Sequence, residues 1–138
     1  MNIYIDCEWN SFGGDLISMA LVSENNIEFY EVLECKYPHP WVLENVIPVL
    51  MKNFIPLYRF KCLLKDYLSQ FDTINIVADW PEDIEKFCAA LIIGPGDRIP
   101  TPLLSMQILR IDADSELPHN ALQDARGIRL AAMSINTQ

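Results

Sequence analysis

The pattern of hydrophobic and polar positions predicts three strands at the start of the chain. The segment "NIYIDCEW" alternates apolar and polar residues as a half-buried strand does, and "DLISMALVSENNIEFYEVLE" contains two apolar runs joined at the turn residues "ENN". We therefore expect one strand followed directly by a β-hairpin.

The middle of the chain predicts two helices of different regularity. Apolar residues recur at helical spacing in "HPWVLENVIPVLMKNF", but Pro48 interrupts them, so a short or kinked helix is expected over residues 41–53. The segment "LYRFKCLLKDYLSQF" predicts a regular amphipathic helix. Its apolar stripe consists of Phe60, Leu63, Leu64, Tyr67, Leu68 and Phe71.

The second half of the chain alternates between strand and helix patterns. "TINIVAD" predicts a buried strand, and "WPED" begins a helix that continues through "IEKFCAALI" and is closed by Gly94. After a loop, "GPGDRIPTP", we expect a strand in "LLSMQILR", a second loop, "IDADSELP", and a final helix in "NALQDARGIRLAAMSI". This order predicts an α/β fold in which an antiparallel meander and later strands form a mixed sheet flanked by helices.

Length and composition are those of a globular protein. With 138 residues, 51 % hydrophobic and 21 % charged, the chain is expected to form one domain over residues 1–138. No apolar run is long enough to span a bilayer, and the N-terminus lacks the basic start and long apolar core of a secretory signal. We therefore expect a cytoplasmic protein without a membrane partner.

Cysteine spacing and net charge narrow the possible functions. Cys7, Cys35, Cys62 and Cys88 lie far apart, without a C-x-x-C pair, so four reduced thiols are expected rather than a zinc site or a disulfide scaffold. The net charge of −9 argues against a broad basic surface for duplex nucleic acid. It does not exclude an enzyme of nucleic acids whose acidic site recruits divalent cations.

Acidic residues occur where strands and helices are predicted to end or begin. Asp6 and Glu8 are two residues apart in the first strand, so their carboxylates project from one face and Cys7 from the other. A solvated edge strand explains this pair equally well. Asp83 falls in the first turn of its helix, where it is a metal ligand or a plain capping acid, and Asp79, at the preceding strand end, competes for the same role.

The segment "PHNALQDAR" combines a helix start with two polar residues able to do chemistry. Asn120 is a plausible N-cap, Asp124 lies one turn later, and His119 is left on the loop just outside the helix. Taken alone, the segment favours a capped surface helix that carries a solvated histidine.

Together, "IDCE", "EDIEKF" and "HNALQDA" resemble the motifs of the DEDDh family of 3′-to-5′ exonucleases, in the family's order and spacing. These motifs are D-x-E, a middle Asp and H-x-A-x-x-D, and the resemblance spans nearly the whole chain. It implies a ribonuclease H-like fold, and the small size is similar to the bacterial and phage exoribonucleases related to ribonuclease T.

The middle motif and the segment after Glu8 depart from the family pattern. Many members carry His-Asn after the strand and then Phe-Asp, where this chain has Ala78-Asp79 and Glu82-Asp83. An ungapped comparison places Asp83 on the family's Asp, so Asp83 is the expected ligand and Asp79 its alternative. After Glu8, "WNSF" replaces the family's usual Thr and small residues, which bears on substrate preference.

The resemblance implies a two-metal hydrolytic site. Asp6, Glu8, Asp83 and Asp124 would hold two Mg²⁺ or Mn²⁺ ions, and His119 would act as the general base. The product would be a nucleoside 5′-monophosphate released from a 3′ end.

The resemblance also implies single-stranded 3′ ends as the substrate, with RNA favoured over DNA, and a possible homodimer. Trp9 and Phe12 are candidates for base stacking, with core packing as the rival for each. Arg126 and Arg129 either meet phosphate or form a solvated helix face, the latter being favoured. The alternatives are a 3′-to-5′ exodeoxyribonuclease and a catalytically silent module of the same fold that binds nucleic acid or protein.

Overall fold

The computed structural model describes residues 1–136, which form a six-stranded sheet, a two-stranded hairpin and four α-helices. The strands are β1 (Asn2–Trp9), β2 (Leu16–Ser23), β3 (Glu28–Leu33), β4 (Phe54–Ile55), β5 (Thr73–Ala78), β6 (Ile92–Gly94), β7 (Asp97–Arg98) and β8 (Leu103–Ile108). The helices are α1 (Pro40–Asn45), α2 (Leu57–Leu68), α3 (Pro81–Leu91) and α4 (Ala121–Asn136). The predicted α/β class with a mixed sheet is confirmed.

Strand β1 lies inside the sheet, whose order is β4-β3-β2-β1-β5-β8. It pairs antiparallel with β2 and parallel with β5, and β8 runs parallel to β5. Because β1 and β5 are adjacent and parallel, their carboxyl ends meet at the same edge of the sheet. The ends of β1 and β5 therefore bring Glu8 and Asp79 into one neighbourhood.

The two faces of the sheet are covered by different helices. The main core packs α2 and α3 on the face that carries Ile3, Ile5 and Cys7, and the predicted stripe of α2 lies in or against this core. On the other face, α4 packs through Ile128 and Ala132 on Tyr4 and Val77, and through Ala121 and Ala125 on Ala20 and Val22. By strand alternation, Asp6 and Glu8 project toward the α4 side.

The helix expected over residues 41–53 is short. Helix α1 ends at Asn45, and a 3₁₀ turn follows at Ile47–Val49, with Pro48 inside that turn. A proline lacks the backbone N–H that a continuing α-helix would need, which accounts for the change of geometry.

Three short strands lie where the sequence predicted loop or helix. The predicted end of α3 at Gly94 is wrong, because the helix ends at Leu91; β6 begins within the predicted helix, and β7 lies in the predicted loop. The Leu91 carbonyl accepts a hydrogen bond of 2.7 Å from the Ile99 N–H, so the hairpin rather than another helical turn satisfies it. Strand β4, also unpredicted, is two residues long and pairs with β3, and two residues show no periodicity.

No helix within residues 1–136 has both the length and the apolar character needed to cross a membrane.

Candidate metal centre

Two acidic side chains of the site come from the end of β1. Asp6 lies opposite Ala20 and Glu8 opposite Ser18 in the antiparallel pairing with β2. Cys7, between them, is 4 % exposed and belongs to the core on the opposite face. The alternation of the strand therefore separates an acidic face from an apolar one, as the spacing predicted.

The start of α3 and the end of β5 contribute two further aspartates. Pro81 occupies the first turn of α3, and Asp83 follows with 2 % of its surface exposed. Its Oδ1 atom accepts a hydrogen bond of 2.9 Å from the backbone N–H of Cys7, which ties α3 directly to β1. Asp79 comes immediately after β5 and is partly exposed.

The carboxylates form two groups that share one residue. In the first group, ligand atoms of Asp6, Glu8 and Asp124 all lie within 4.8 Å of one another, and the same limit holds for Asp6, Asp79 and Asp83 in the second. All four acids of the expected ligand set are thus brought together. Asp79 and Asp83 lie in the same group, so the choice between them stays a prediction.

Burial, together with repulsion between the carboxylates, opposes ionisation in this cluster. Burial, followed by the charges of Asp83, Glu8 and Asp124, raises the pKa of Asp6 well above its usual range. Burial and neighbouring carboxylates raise the pKa of Glu8 to about 8. Burial also raises the pKa of Asp83 to about 8, although the hydrogen bond from Cys7 opposes the shift. A cation among these groups would favour their ionised forms.

The pKa values of Asp79 and Asp124 are raised in the same direction, again chiefly by burial. For Asp124, hydrogen bonds from the Ser115 side chain and the His119 backbone oppose the effect. Throughout the cluster, therefore, desolvation raises the pKa values by more than local hydrogen bonds lower them.

The start of α4 positions His119 beside Asp124. The side-chain oxygen of Asn120 accepts from the Gln123 N–H at 3.1 Å, which confirms the predicted N-cap. His119 has a φ of 71°, and its backbone N–H donates to Asp124 Oδ2 at 3.1 Å. The histidine backbone is thereby held next to one of the acidic groups.

An aromatic contact that the sequence did not predict supports the imidazole ring of His119. The ring packs edge-on against Trp41, with ring centroids 5.0 Å apart and an interplanar angle of 83°. Helix α1 carries this tryptophan, and His39 caps the helix by accepting from the Trp41 N–H. In the sequence, this contact could have been sought only from the aromatic residue at a predicted helix start, "HPW", and that pattern is not specific.

The turn after β1 holds the α1 segment in place. The Asn10 side chain accepts from the His39 N–H at 2.7 Å and donates to the Tyr37 carbonyl at 2.9 Å. The turn itself is tight, since a Cβ on Gly14 would lie 1.8 Å from the Asn10 carbonyl oxygen. Any other residue at position 14 would displace the turn that carries Asn10.

A cleft of about 330 Å³ adjoins the acidic cluster. Its lining residues are Glu8, Trp9, Ser11, Phe12, Trp41, Val42 and Glu82. Phe12 is 96 % exposed, whereas Trp9 is half-buried against the main core with Lys86 Nζ 6.0 Å from its ring centroid. Both predicted stacking residues therefore line the cleft, and Trp9 also packs in the core. A larger, mainly apolar cavity between α2 and α3 contains none of the predicted site residues.

The two arginines of α4 are engaged within the protein. Arg126 forms a bidentate ion pair with Glu28, with N···O distances of 2.6 and 2.9 Å. Arg129 donates to the backbone carbonyls of Ser23 and Glu24. For Arg129 the favoured interpretation of a solvated helix face is therefore wrong, because its partly buried guanidinium group joins α4 to the end of β2. The Arg126 side chain is 42 % exposed, so its ion pair with Glu28 lies on a solvated surface.

The donor set of the cluster fits a hard divalent cation. Carboxylate oxygens are the ligands that Mg²⁺ and Mn²⁺ prefer. The Asp6 Oδ2 atom is buried and has no hydrogen-bond partner among the described residues, a condition that a cation would relieve. No protein-family model matches the chain, and a search of curated proteins finds no match either.

Proposed function

We propose that the chain is a metal-dependent 3′-to-5′ exoribonuclease of the DEDDh type that acts on single-stranded 3′ ends. The observation that carries the proposal is that Asp6 belongs to both carboxylate groups. In each group the ligand atoms lie within 4.8 Å of one another, and the Asp6 Oδ2 atom has no hydrogen-bond partner among the described residues. The sheet also supports it, because an antiparallel meander followed by helices alternating with parallel strands is what a ribonuclease H-like fold requires.

Two cation positions follow from the two groups. Asp6, Glu8 and Asp124 would hold one ion, and Asp6 with Asp83, or with Asp79 as the alternative to Asp83, would hold the other. Bound Mg²⁺ or Mn²⁺ would supply Lewis-acid stabilisation of the charge that develops on the phosphate oxygens during in-line displacement.

His119 is proposed as the general base. Histidine is the side chain that most often acts as a general base, and its imidazole can take the proton of the attacking water. The contact of its ring with Trp41 and the hydrogen bond from its backbone to Asp124 restrict where that imidazole lies. The residue is therefore held beside the acidic cluster from both sides.

The aromatic cleft is proposed to receive the terminal nucleotides. Trp9, Phe12 and Trp41 line it next to Glu8, and aromatic side chains stack on unpaired bases of any sequence. A single strand suits such a cleft because its bases are free to leave the stack. The net charge of −9, with Arg126 and Arg129 engaged internally, provides little for duplex binding.

The test is digestion of 5′-labelled single-stranded RNA and DNA of matched sequence, with Mn²⁺, with Mg²⁺ or with chelator. We expect a ladder that shortens from the 3′ end, is faster on RNA, and is lost with chelator and in Asp124→Asn. Asp112→Asn, an exposed aspartate outside both carboxylate groups, is the matched control and should retain full activity. Intact substrate in every lane would contradict the proposal and favour a silent binding module.

A further inference from the structure

The buried side-chain atoms that lack a hydrogen-bond partner within residues 1–136 are Asp6 Oδ2 and Ser18 Oγ. Ser18 lies in the interior of β2 and is 0 % exposed. Burying a hydroxyl without a partner destabilises the folded state, so such groups are rare in proteins and call for a specific explanation. Both atoms belong to the paired strands β1 and β2, which points to a common cause.

The register of these strands places Ser18 beside Glu8. The two residues are directly opposite in the antiparallel pairing, so their side chains share a face with Cβ atoms about 4.5 to 5.5 Å apart. On its other side Ser18 faces Val32 of β3, which offers no polar side-chain group. The register shifts directly after Glu8, where Trp9 pairs with Leu16, so an irregularity of the strand pair lies at the edge of the acidic cluster.

The Glu8 carboxylate is short of hydrogen-bond donors. None of the side-chain hydrogen bonds found in residues 1–136 ends on it, and its nearest acidic neighbours are Asp6 and Asp124. Asp83 and Asp124, by contrast, each accept a backbone N–H. No backbone hydrogen bond of this kind sets the orientation of the Glu8 carboxylate among the described residues.

We propose that Ser18 is a positioning residue for Glu8: its hydroxyl donates to the Glu8 carboxylate when that carboxylate holds a divalent cation. This inference rests on the proposed function, since it assumes that Glu8 is a metal ligand. Hydrogen bonds to ligating carboxylates fix their orientation, and loss of such a partner weakens metal binding by about 10- to 100-fold. The unpartnered Ser18 hydroxyl would then have the cation-bound Glu8 carboxylate as its acceptor.

The experiment measures thermal unfolding of the metal-free protein and Mn²⁺ binding by calorimetry, for wild type and Ser18→Ala. We expect the metal-free variant to unfold about 2 to 6 °C higher, because an unsatisfied buried hydroxyl is removed. We expect its Mn²⁺ dissociation constant to rise by about 10-fold or more. A serine with a purely structural role would not raise the stability of the protein and lower its Mn²⁺ affinity when replaced by alanine.

Ser23→Ala is the matched control, because Ser23 is equally buried on β2 but its hydroxyl is satisfied by Asn25 and Ile27. It should lower the unfolding temperature and leave Mn²⁺ affinity unchanged. In a Glu8→Gln background, Ser18→Ala should change the remaining Mn²⁺ affinity by less than about twofold, since the two residues act together.

The outcomes separate the two proposals. If wild type binds Mn²⁺ and Ser18→Ala binds it equally well, the role of Ser18 is overturned while the metal site stands. A wild type that binds no Mn²⁺ would overturn the proposed function and the role of Ser18 with it.

Discussion

Asp6 belongs to both carboxylate groups, and the residues around it show which positions could be predicted from the sequence. The D-x-E spacing was enough to place Asp6 and Glu8 on one face, because side chains alternate along a strand. Strand alternation could not decide which aspartate, Asp79 or Asp83, is the middle ligand. Asp79 and Asp83 lie on either side of a strand-to-helix connection, and the structure brings both to Asp6.

Substitution of the two middle aspartates separates their roles. We expect Asp83→Asn to be inactive and Asp79→Asn only impaired, because Asp83 is buried and oriented by the Cys7 N–H while Asp79 is partly exposed. An asparagine at position 83 can still accept that hydrogen bond, so the fold should persist. Hydrolysis rates and circular dichroism check this, and the reverse ranking would mean that Asp79 is the ligand.

Removal of the imidazole tests the general base. His119→Ala should leave Mn²⁺ binding nearly intact and lower the rate by roughly 10² to 10⁴, the usual contribution of a positioned acid-base group. Single-turnover hydrolysis and calorimetry measure the two quantities. The control is His39→Asn, which keeps an N-cap on α1 and should keep the rate within about twofold. Unchanged turnover in His119→Ala would rule out the role.

Helix α4 shows how an element can satisfy its sequence pattern and still depend on a contact elsewhere. Its apolar face and its Asn120 cap follow from local sequence. Gly127, within the helix, is expected from propensity alone to weaken it. In the structure, however, a Cβ on Gly127 would lie 1.9 Å from the Asp114 carbonyl oxygen, so the loop before α4 packs directly on the helix backbone.

The prediction for this element is that Gly127→Ala destabilises the protein, by about 1 to 3 kcal/mol, although alanine favours helices. The loop it displaces carries Ser115, which hydrogen-bonds Asp124, so Mn²⁺ affinity should fall as well. Denaturant unfolding and calorimetry measure both effects. Gly94→Ala, whose added Cβ would have its nearest neighbour at 4.0 Å, is the control and should be nearly neutral. A Gly127→Ala variant that is more stable than wild type would contradict the prediction and show that the loop before α4 can move away from the helix at little cost.

At the scale of the whole molecule, the acidic cluster couples stability to pH. The pKa values of Glu8 and Asp83 are raised to about 8, far above those of an unfolded chain. The folded protein therefore binds more protons than the unfolded one over this interval, and its free energy of unfolding falls as pH rises. The stabilisation is complete below about pH 4 and is lost as pH rises through about 8.

We accordingly expect the metal-free protein to unfold at a lower temperature at pH 8.5 than at pH 5.5. Excess Mg²⁺ or Mn²⁺ should reduce or reverse this difference, because a cation stabilises the ionised carboxylates of the folded state. Scanning calorimetry with chelator and with metal tests both statements. Glu8→Gln, which removes one titrating group, should show a smaller pH effect than wild type. A metal-free protein that becomes more stable toward pH 8.5 would contradict the expectation.

Sequence by itself determined what periodicity and local chemistry can encode. The meander, the stripe of α2, the acidic face of β1 and the cap of α4 were all predicted, because each depends on residues within one element. Periodicity reports which face of an element is buried. It does not report which other element covers that face.

Tertiary structure alone decided the contacts between residues distant in sequence. It packed Trp41 on His119, engaged Arg126 with Glu28, and placed Ser18 opposite Glu8. It also formed β4 and the β6–β7 hairpin, which are too short to show a repeat. The long-range contacts share one physical reason: they join residues of different elements, which meet only when the sheet and the helices that cover it assemble.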